Sequence, residues 1–316
     1  MPPILRDTPD GWSVLEIRGA RDVPDYDPKV IGQGMSQGKY RTEVLGDWSA
    51  TTGRVVYPEF GEIHKAVDPL AFDPYRPLLC AWDVGGTPIS GVPSCVVTQV
   101  NALHQWLIFS CIIPDEDAPA VGIWEFAGWV QEHLRTEFAE PWGMSFPDLK
   151  LVHVGDPQGH VRPPKTYGMV SKGYEIKSCY DVIEKGYKQE IGEDDRGRPV
   201  LLEKPGYGWR IREGERSLAR RMEMLRGLLT TLVEGRPALV VDPRCKFIVD
   251  GFEGGYHYHQ RSDGRYELDP MKNHYSHALN AVEYGASYLK KAYDKSDERE
   301  RYVPQRTITG PCRGGR

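Results

Sequence analysis

No apolar run in this 316-residue chain approaches the roughly 20 residues that a membrane-spanning helix requires. The start, Met-Pro-Pro-Ile-Leu-Arg-Asp, lacks the basic stretch followed by an apolar core that marks a secretory signal. Cysteine is scarce: six residues, Cys80, Cys95, Cys111, Cys179, Cys245 and Cys312, with no CxxC pair. That spacing argues against a zinc site, and several of these cysteines sit in apolar strand-like runs, as buried free thiols in a reducing compartment do. There is no GxxxxGK[ST] motif, hence no loop to cradle the phosphates of a nucleoside triphosphate. Internal repeats are lacking too. Positive charge is not in excess either, since 40 basic against 45 acidic residues leave a net charge of −5. A nucleic-acid partner must then be met by local basic patches.

Apolar residues make up 40% and charged residues 27% of the chain, the make-up of an ordinary soluble globular protein. Residues 1–75 are rich in Pro, Gly and Asp and read as short segments wrapped on something else. From residue 76 the texture changes. PLLCAWDVGG reads as a buried strand ending in Asp83 and a glycine pair, and PSCVVTQVN and HQWLIFSCIIP as two further β-runs. Apolar residues at helical spacing predict a helix over 121–138. DLKLVHVGDPQG is a strand ending in Asp156, followed by Pro and Gly. The stretch 160–208 is less regular, with a hairpin or exposed loop near 192–208. A helix over 215–233, a strand over 237–243 and a short helix near 244–252 follow. A hairpin turning at Asp263-Gly264 precedes a final helix from about Tyr275, striped by Tyr275, Leu279, Val282, Ala286 and Leu289. The tail, 296–316, is charged and then Pro- and Gly-containing, and reads as disordered. Strands and helices in this order make a mixed α/β sheet with flanking helices.

Two strands ending in an aspartate are the chemical signal. A carboxylate directly after a buried strand is held rigidly at the sheet's edge, and small residues beside it (Gly85, Gly86, Gly159) leave room for a substrate backbone. A helix packed across the sheet would bring a third group: His277 and Asn280 are three residues apart at the start of the last helix, near one another on one face. Such a cluster suits Mg²⁺ or Mn²⁺. Taken singly, each aspartate is more commonly a cap or turn former. A second patch, WRIREGERSLARRMEMLR (209–226), crowds six arginines together. It reads equally as a phosphate-binding surface or as a solvated helix face paired with Glu213, Glu215 and Glu223.

These residues together resemble the nuclease domain of tailed-phage terminase large subunits, the DNA-packaging motor proteins, over about residues 40–293. EVLGDWSATTGRVVYPEF is similar to the segment leading from the ATPase domain into the nuclease. AWDVGG and VHVGDPQG resemble the two catalytic-aspartate strands, and NHYSHALNAVEYG resembles the SHxxDAxxY ending. The resemblance implies a ribonuclease H-like fold for 76–295 and endonuclease cutting of concatemeric viral DNA with two Mg²⁺ or Mn²⁺ ions. It implies Asp83 and Asp156 as metal ligands, His277 as a supporting or orienting group, and phosphate contacts from Lys165, Arg210 and Arg212. Double-stranded DNA, a terminase ATPase domain or subunit, the small terminase subunit and the portal are the implied partners, in the host bacterial cytoplasm and with no membrane. The chain departs from the family twice. No ATPase domain lies within it, and Asn280 stands where the family has the third metal-binding Asp. An amide oxygen can ligate Mg²⁺ but brings no charge. Glu283, about 60° around the helix and one turn on, and Asp269 before the helix are the nearest carboxylates to substitute for it. The competing reading is a nuclease-impaired module that binds DNA or docks the packaging machinery, and a resolvase- or transposase-like relative is a third.

Overall fold

The computed structural model describes residues 4–7, 13–16, 54–87, 90–115, 119–161, 178–261, 263 and 265–301. In chain order the elements that build the core are strands β1 (Arg54–Val55), β2 (Leu78–Asp83), β3 (Ser94–Val100) and β4 (Trp106–Ile112), then helix α1 (Ile123–Leu134) and strand β5 (Leu151–Gly155). After them come helix α2 (Cys179–Lys185), strands β6 (Gly186–Glu193), β7 (Pro199–Pro205) and β8 (Ile211–Glu213), and helix α3 (Leu218–Thr230). Strand β9 (Leu239–Val241), helix α4 (Lys246–Asp250), strand β10 (His257–Tyr258) and helix α5 (His274–Arg301) complete the order.

Six strands form one sheet in the order β8-β5-β2-β3-β4-β9. Strands β2, β3 and β4 are an antiparallel meander, β5 lies parallel to β2, and β8 lies parallel to β5. This arrangement, a meander extended by parallel strands beside its first strand, is that of a ribonuclease H-like sheet, here with β9 added parallel to β4. The fold is α/β, a mixed sheet with helices on both faces.

The central strand shows why. Leu78–Asp83 is buried at every position, as a strand covered on both faces must be. Its side chains alternate between two cores. Leu79 and Ala81 join one core with Leu225, Leu279, Val282 and Ala286 of α3 and α5. Leu78, Cys80 and Trp82 join the other with Phe126, Val130 and Ile183 of α1 and α2. Helix α5 lies close on the sheet because residue 285 has no side chain: a Cβ there would stand 2.9 Å from the Trp106 ring and 3.3 Å from Ala81. The chain before the sheet is pinned to the same core, with Val56, Tyr57 and Phe60 buried in it.

Several elements differ from the sequence reading. The regular helix expected over 121–138 ends at Leu134 and continues as a π-turn over Arg135–Ala139. Strand β8 falls inside the arginine-rich stretch, where no strand was expected: Ile211 is buried and its neighbours are exposed, too short a run to show alternation. Around the expected turn at Asp263-Gly264, Gln260 bridges Tyr266 antiparallel, with the Arg261 amide donating to the Arg265 carbonyl at 2.7 Å and the Glu267 amide to the His259 carbonyl at 2.9 Å, while Gly264 lies outside the described residues. Strand β10, just before it, pairs with β1, His257 opposite Val55, a partner two hundred residues away that local turn chemistry could not reveal. The short helix α2 was also unforeseen. The final helix starts at His274 and runs to Arg301, and residues 302–316 of the expected tail lie outside the described residues. Among the described residues no helix is long and apolar enough to cross a membrane.

Candidate functional site

The parallel pairing of β2 with β5 places Trp82 opposite Gly155, so the next residue of each chain, Asp83 and Asp156, emerges at the same sheet edge. The Asp156 amide donates to the Trp82 carbonyl at 3.1 Å, which locks the two ends together. Beyond Asp83 the chain must turn sharply. Gly85 does so with φ +57°, and a Cβ there would stand 2.1 Å from the Val92 carbonyl oxygen. Asp156 caps the short turn after β5, its Oδ1 accepting from the Gln158 amide at 2.9 Å.

Helix α5 supplies the third element. Asn273 and Ser276 cap its start reciprocally: the Ser276 amide donates to Asn273 Oδ1 at 3.0 Å, and the Asn273 amide to Ser276 Oγ at 3.1 Å. Ser94 Oγ donates to the His277 carbonyl at 2.9 Å. His277 Nδ1 then lies 3.1 Å from Asp83 Oδ2. Asn280 follows on the same helix, half-buried. The structure therefore brings Asp83, Asp156 and His277 to one sheet edge, with Asn280 one turn along.

Burial, and after it the negative charge of Asp83, pushes the Asp156 carboxyl up, against the Gln158 amide, the Tyr284 hydroxyl and the Arg221 guanidinium, which favour its ionised form. Two neighbouring carboxylates with a mutual penalty are a place where a cation is stabilising. An Asp/Asp set with a histidine and an amide oxygen beside it matches the oxygen preference of Mg²⁺ or Mn²⁺. By donor type alone they would suit one divalent ion. For a second, the donor set is short of a carboxylate. Among the described residues no ready-made group of three His, Cys, Asp or Glu side chains surrounds a metal-sized space.

Neither expected substitute for the missing carboxylate serves. Glu283 is fully buried and turned inward: Oε1 accepts from the Tyr57 hydroxyl at 2.6 Å and Oε2 from Arg221 Nε at 3.2 Å. The offset of about 60° from Asn280 carries it into the helix–helix interface. Asp269 is exposed in the loop before α5.

The arginine-rich stretch divides in two. Arg221 is buried against Glu283, and Arg226 is half-buried, donating to the Val56 carbonyl at 3.1 Å. Arg210, Arg212, Arg216 and Arg220 are exposed. Of the acidic partners foreseen for the patch, Glu213 pairs with Arg216 at 3.3 Å, and Glu215 pairs with Lys291 instead. Arg212 lies on β8 opposite Val154, one strand from the Asp156 edge, and donates to the Tyr288 hydroxyl at 2.6 Å. Lys165 lies outside the described residues. Tyr284, whose ring centre lies 4.3 Å from the Arg221 guanidinium carbon, stands in the C-terminal motif but was not singled out. Tyr57 and Arg221 gave no signal, because their roles depend on contacts between distant segments.

No protein-family model matches this sequence, and no curated protein matches it. Among solved structures, the chain is similar to the nuclease domain of the large terminase from bacteriophage SPP1, crystallised with bound Mn. The similarity has 11% sequence identity and a TM-score of 0.40, and spans 72% of this chain and 97% of that one. So distant a likeness carries no function by itself.

Proposed function

We propose that this chain is a divalent-metal-dependent DNA endonuclease module of a phage packaging terminase, acting on concatemeric viral DNA in the host bacterial cytoplasm. The observation that carries the reading is the meeting of Asp83 and Asp156 on adjacent strand ends, with His277 of the last helix 3.1 Å from Asp83. Asp83 and Asp156 would hold the ion, with the Asn280 amide oxygen as a third, uncharged donor. A bound Mg²⁺ or Mn²⁺ would supply positive charge against the scissile phosphate and lower the pKa of an attacking water. His277 fixes the Asp83 carboxylate and can take up or release a proton at its edge. The glycines read as leaving room for a substrate do not do so at Gly85 and Gly159: a Cβ at Gly85 would meet the Val92 carbonyl oxygen at 2.1 Å and one at Gly159 the Tyr180 ring at 2.3 Å, so the protein itself fills both spaces. Exposed Arg210 and Arg212, beside the Asp156 strand, would meet the backbone of duplex DNA without reading sequence. Lys165 belongs to the same proposed surface. An ATPase domain or subunit, the small terminase subunit and the portal are the partners that such a module requires.

Asn280 favours a second reading. With one carboxylate fewer, two dications face two aspartates, and the module is then impaired, serving to bind DNA or dock the packaging machinery. Plasmid relaxation in Mn²⁺ separates the two. The expected order of cutting is Asn280→Asp above the unsubstituted chain, with Asp83→Asn inactive in both backgrounds. Equal cutting by the chain and by Asn280→Asp would remove residue 280 from the ligand set. Duplex binding without cutting, even by the Asn280→Asp variant, would establish the docking role.

A further inference from the structure

We propose that the segment carrying Tyr57 is part of the candidate site: Tyr57, Glu283 and Arg221 form a buried relay that positions Tyr284 and, through it, Asp156. The proposal rests on the nuclease reading only for the purpose of Asp156. The relay is a matter of geometry.

Three distant pieces of chain meet here. The first, around residues 54–65, is held down by backbone contacts: the Val56 amide donates to the Tyr256 carbonyl at 3.3 Å, and His64 Nε2 lies 2.8 Å from the Leu229 carbonyl. Tyr57 is 1% exposed, edge-on to Phe252 with ring centroids 5.5 Å apart. Its hydroxyl donates to Glu283 Oε1 at 2.6 Å, across 226 residues of sequence. Glu283 is the one carboxylate among the buried residues of α5, between Val282 and Ala286, with no exposed surface. Its other oxygen takes Arg221 Nε at 3.2 Å.

Arg221 is held on every side. Nη1 donates to the carbonyls of Glu215 and Arg216, both at 3.2 Å. The guanidinium carbon lies 4.3 Å from the centre of the Tyr284 ring. A planar guanidinium with fixed donors transmits orientation better than a flexible ammonium. Tyr284, 4% exposed, packs its ring against Gly214, where a Cβ would stand 2.5 Å from Tyr284 Cδ1, and the Gly214 amide donates to the Gly155 carbonyl at 2.8 Å, one residue before Asp156. Thus the strand end that carries Asp156 is backed by a ring stacked on a guanidinium, whose own carboxylate partner is bonded to Tyr57.

A buried ion pair is a poor device for stability alone, since well-packed apolar residues of similar size do as well or better. Its place within reach of the candidate site points to positioning. Tyr57, Glu283 and Arg221 are positioning residues, acting through Tyr284. The site is therefore complete only when the segment ahead of β2 is docked.

The test uses the full chain with ¹³C-carboxyl-labelled aspartate, the Asp156 signal being assigned by Asp156→Asn. Tyr57→Phe removes one hydroxyl and keeps the ring. Leu289→Ala serves as the control, taking volume from α5 without touching the relay. At fixed pH, Tyr57→Phe is expected to shift the Asp156 carboxyl signal and to weaken Mn²⁺ binding several-fold. Leu289→Ala should lower Tm and leave both unmoved. An Asp156 signal unchanged in Tyr57→Phe overturns the relay, whatever happens to Tm. If the unsubstituted chain takes up no Mn²⁺, the metal-nuclease reading fails, and the Asp156 signal still decides the relay.

Discussion

Replacing Arg221 by Met should destabilise the protein by an amount that depends on pH. Arg221 and Glu283 are paired at 3.2 Å with side chains 7% and 0% exposed. Burial, opposed by Arg221 and the Tyr57 hydroxyl, pushes the Glu283 carboxyl up to about 7. A folded-state value above the unfolded one means that the folded protein holds the extra proton between about pH 4.5 and 7. Stability from this group is therefore fully present below about 4.5 and lost as pH rises through about 7. At 1.36 kcal/mol per unit the interval is worth about 3 kcal/mol. Without Arg221 the value rises further, because the main influence holding it down is gone. At pH 8 the variant keeps a proton that the unsubstituted protein has released, which adds about 1.4 kcal/mol to the loss for the one pH unit above 7. At pH 5 Glu283 is neutral in both proteins, and the loss should fall to about 1 kcal/mol, that of an ordinary neutral hydrogen bond. Urea midpoints at pH 5 and pH 8 for the chain, Arg221→Met and Glu283→Gln measure this directly. Glu283→Gln should flatten the pH dependence. Equal losses for Arg221→Met at the two pH values would refute the reasoning.

Gly285→Val places branched carbon where a bare Cβ already meets Trp106 at 2.9 Å, so α5 must lift from the sheet. A loss of about 1–3 kcal/mol is expected in urea unfolding, and a change below about 0.5 kcal/mol would mean that the helix is not seated as described. Asn273→Ala removes the reciprocal cap with Ser276, for about 1 kcal/mol. Amide exchange should quicken at residues 274–277, the turn that carries His277, and exchange unchanged there would count against the capping role.

What the sequence made legible was whatever depended on runs and edges. The β2 and β5 strands stand out because both of their faces are buried or nearly so, and their terminal aspartates follow from where the apolar run stops. The apolar stripe from Leu279 to Leu289 placed α5 on the sheet. One buried residue followed by two exposed ones, as at Ile211–Glu213, gives no strand signal, so β8 is hidden in a charged stretch. The same stretch hid Arg221, since nothing in its own neighbourhood distinguishes a buried guanidinium from five others nearby. Glu283 shows the same limit. A helical offset gives the angle of a side chain, but Tyr57, 226 positions earlier, decides which way it turns. Pairing of β10 with β1 is likewise a long-range fact.

Mn²⁺ binding followed by calorimetry tests the central claim most directly, because it asks for the ion without requiring cleavage. Weak uptake is expected for the chain, binding at least about tenfold tighter for Asn280→Asp (about 1.4 kcal/mol), and none once Asp83→Asn is introduced into either. Mn²⁺ binding by Asp83→Asn equal to that of the unsubstituted chain would contradict it.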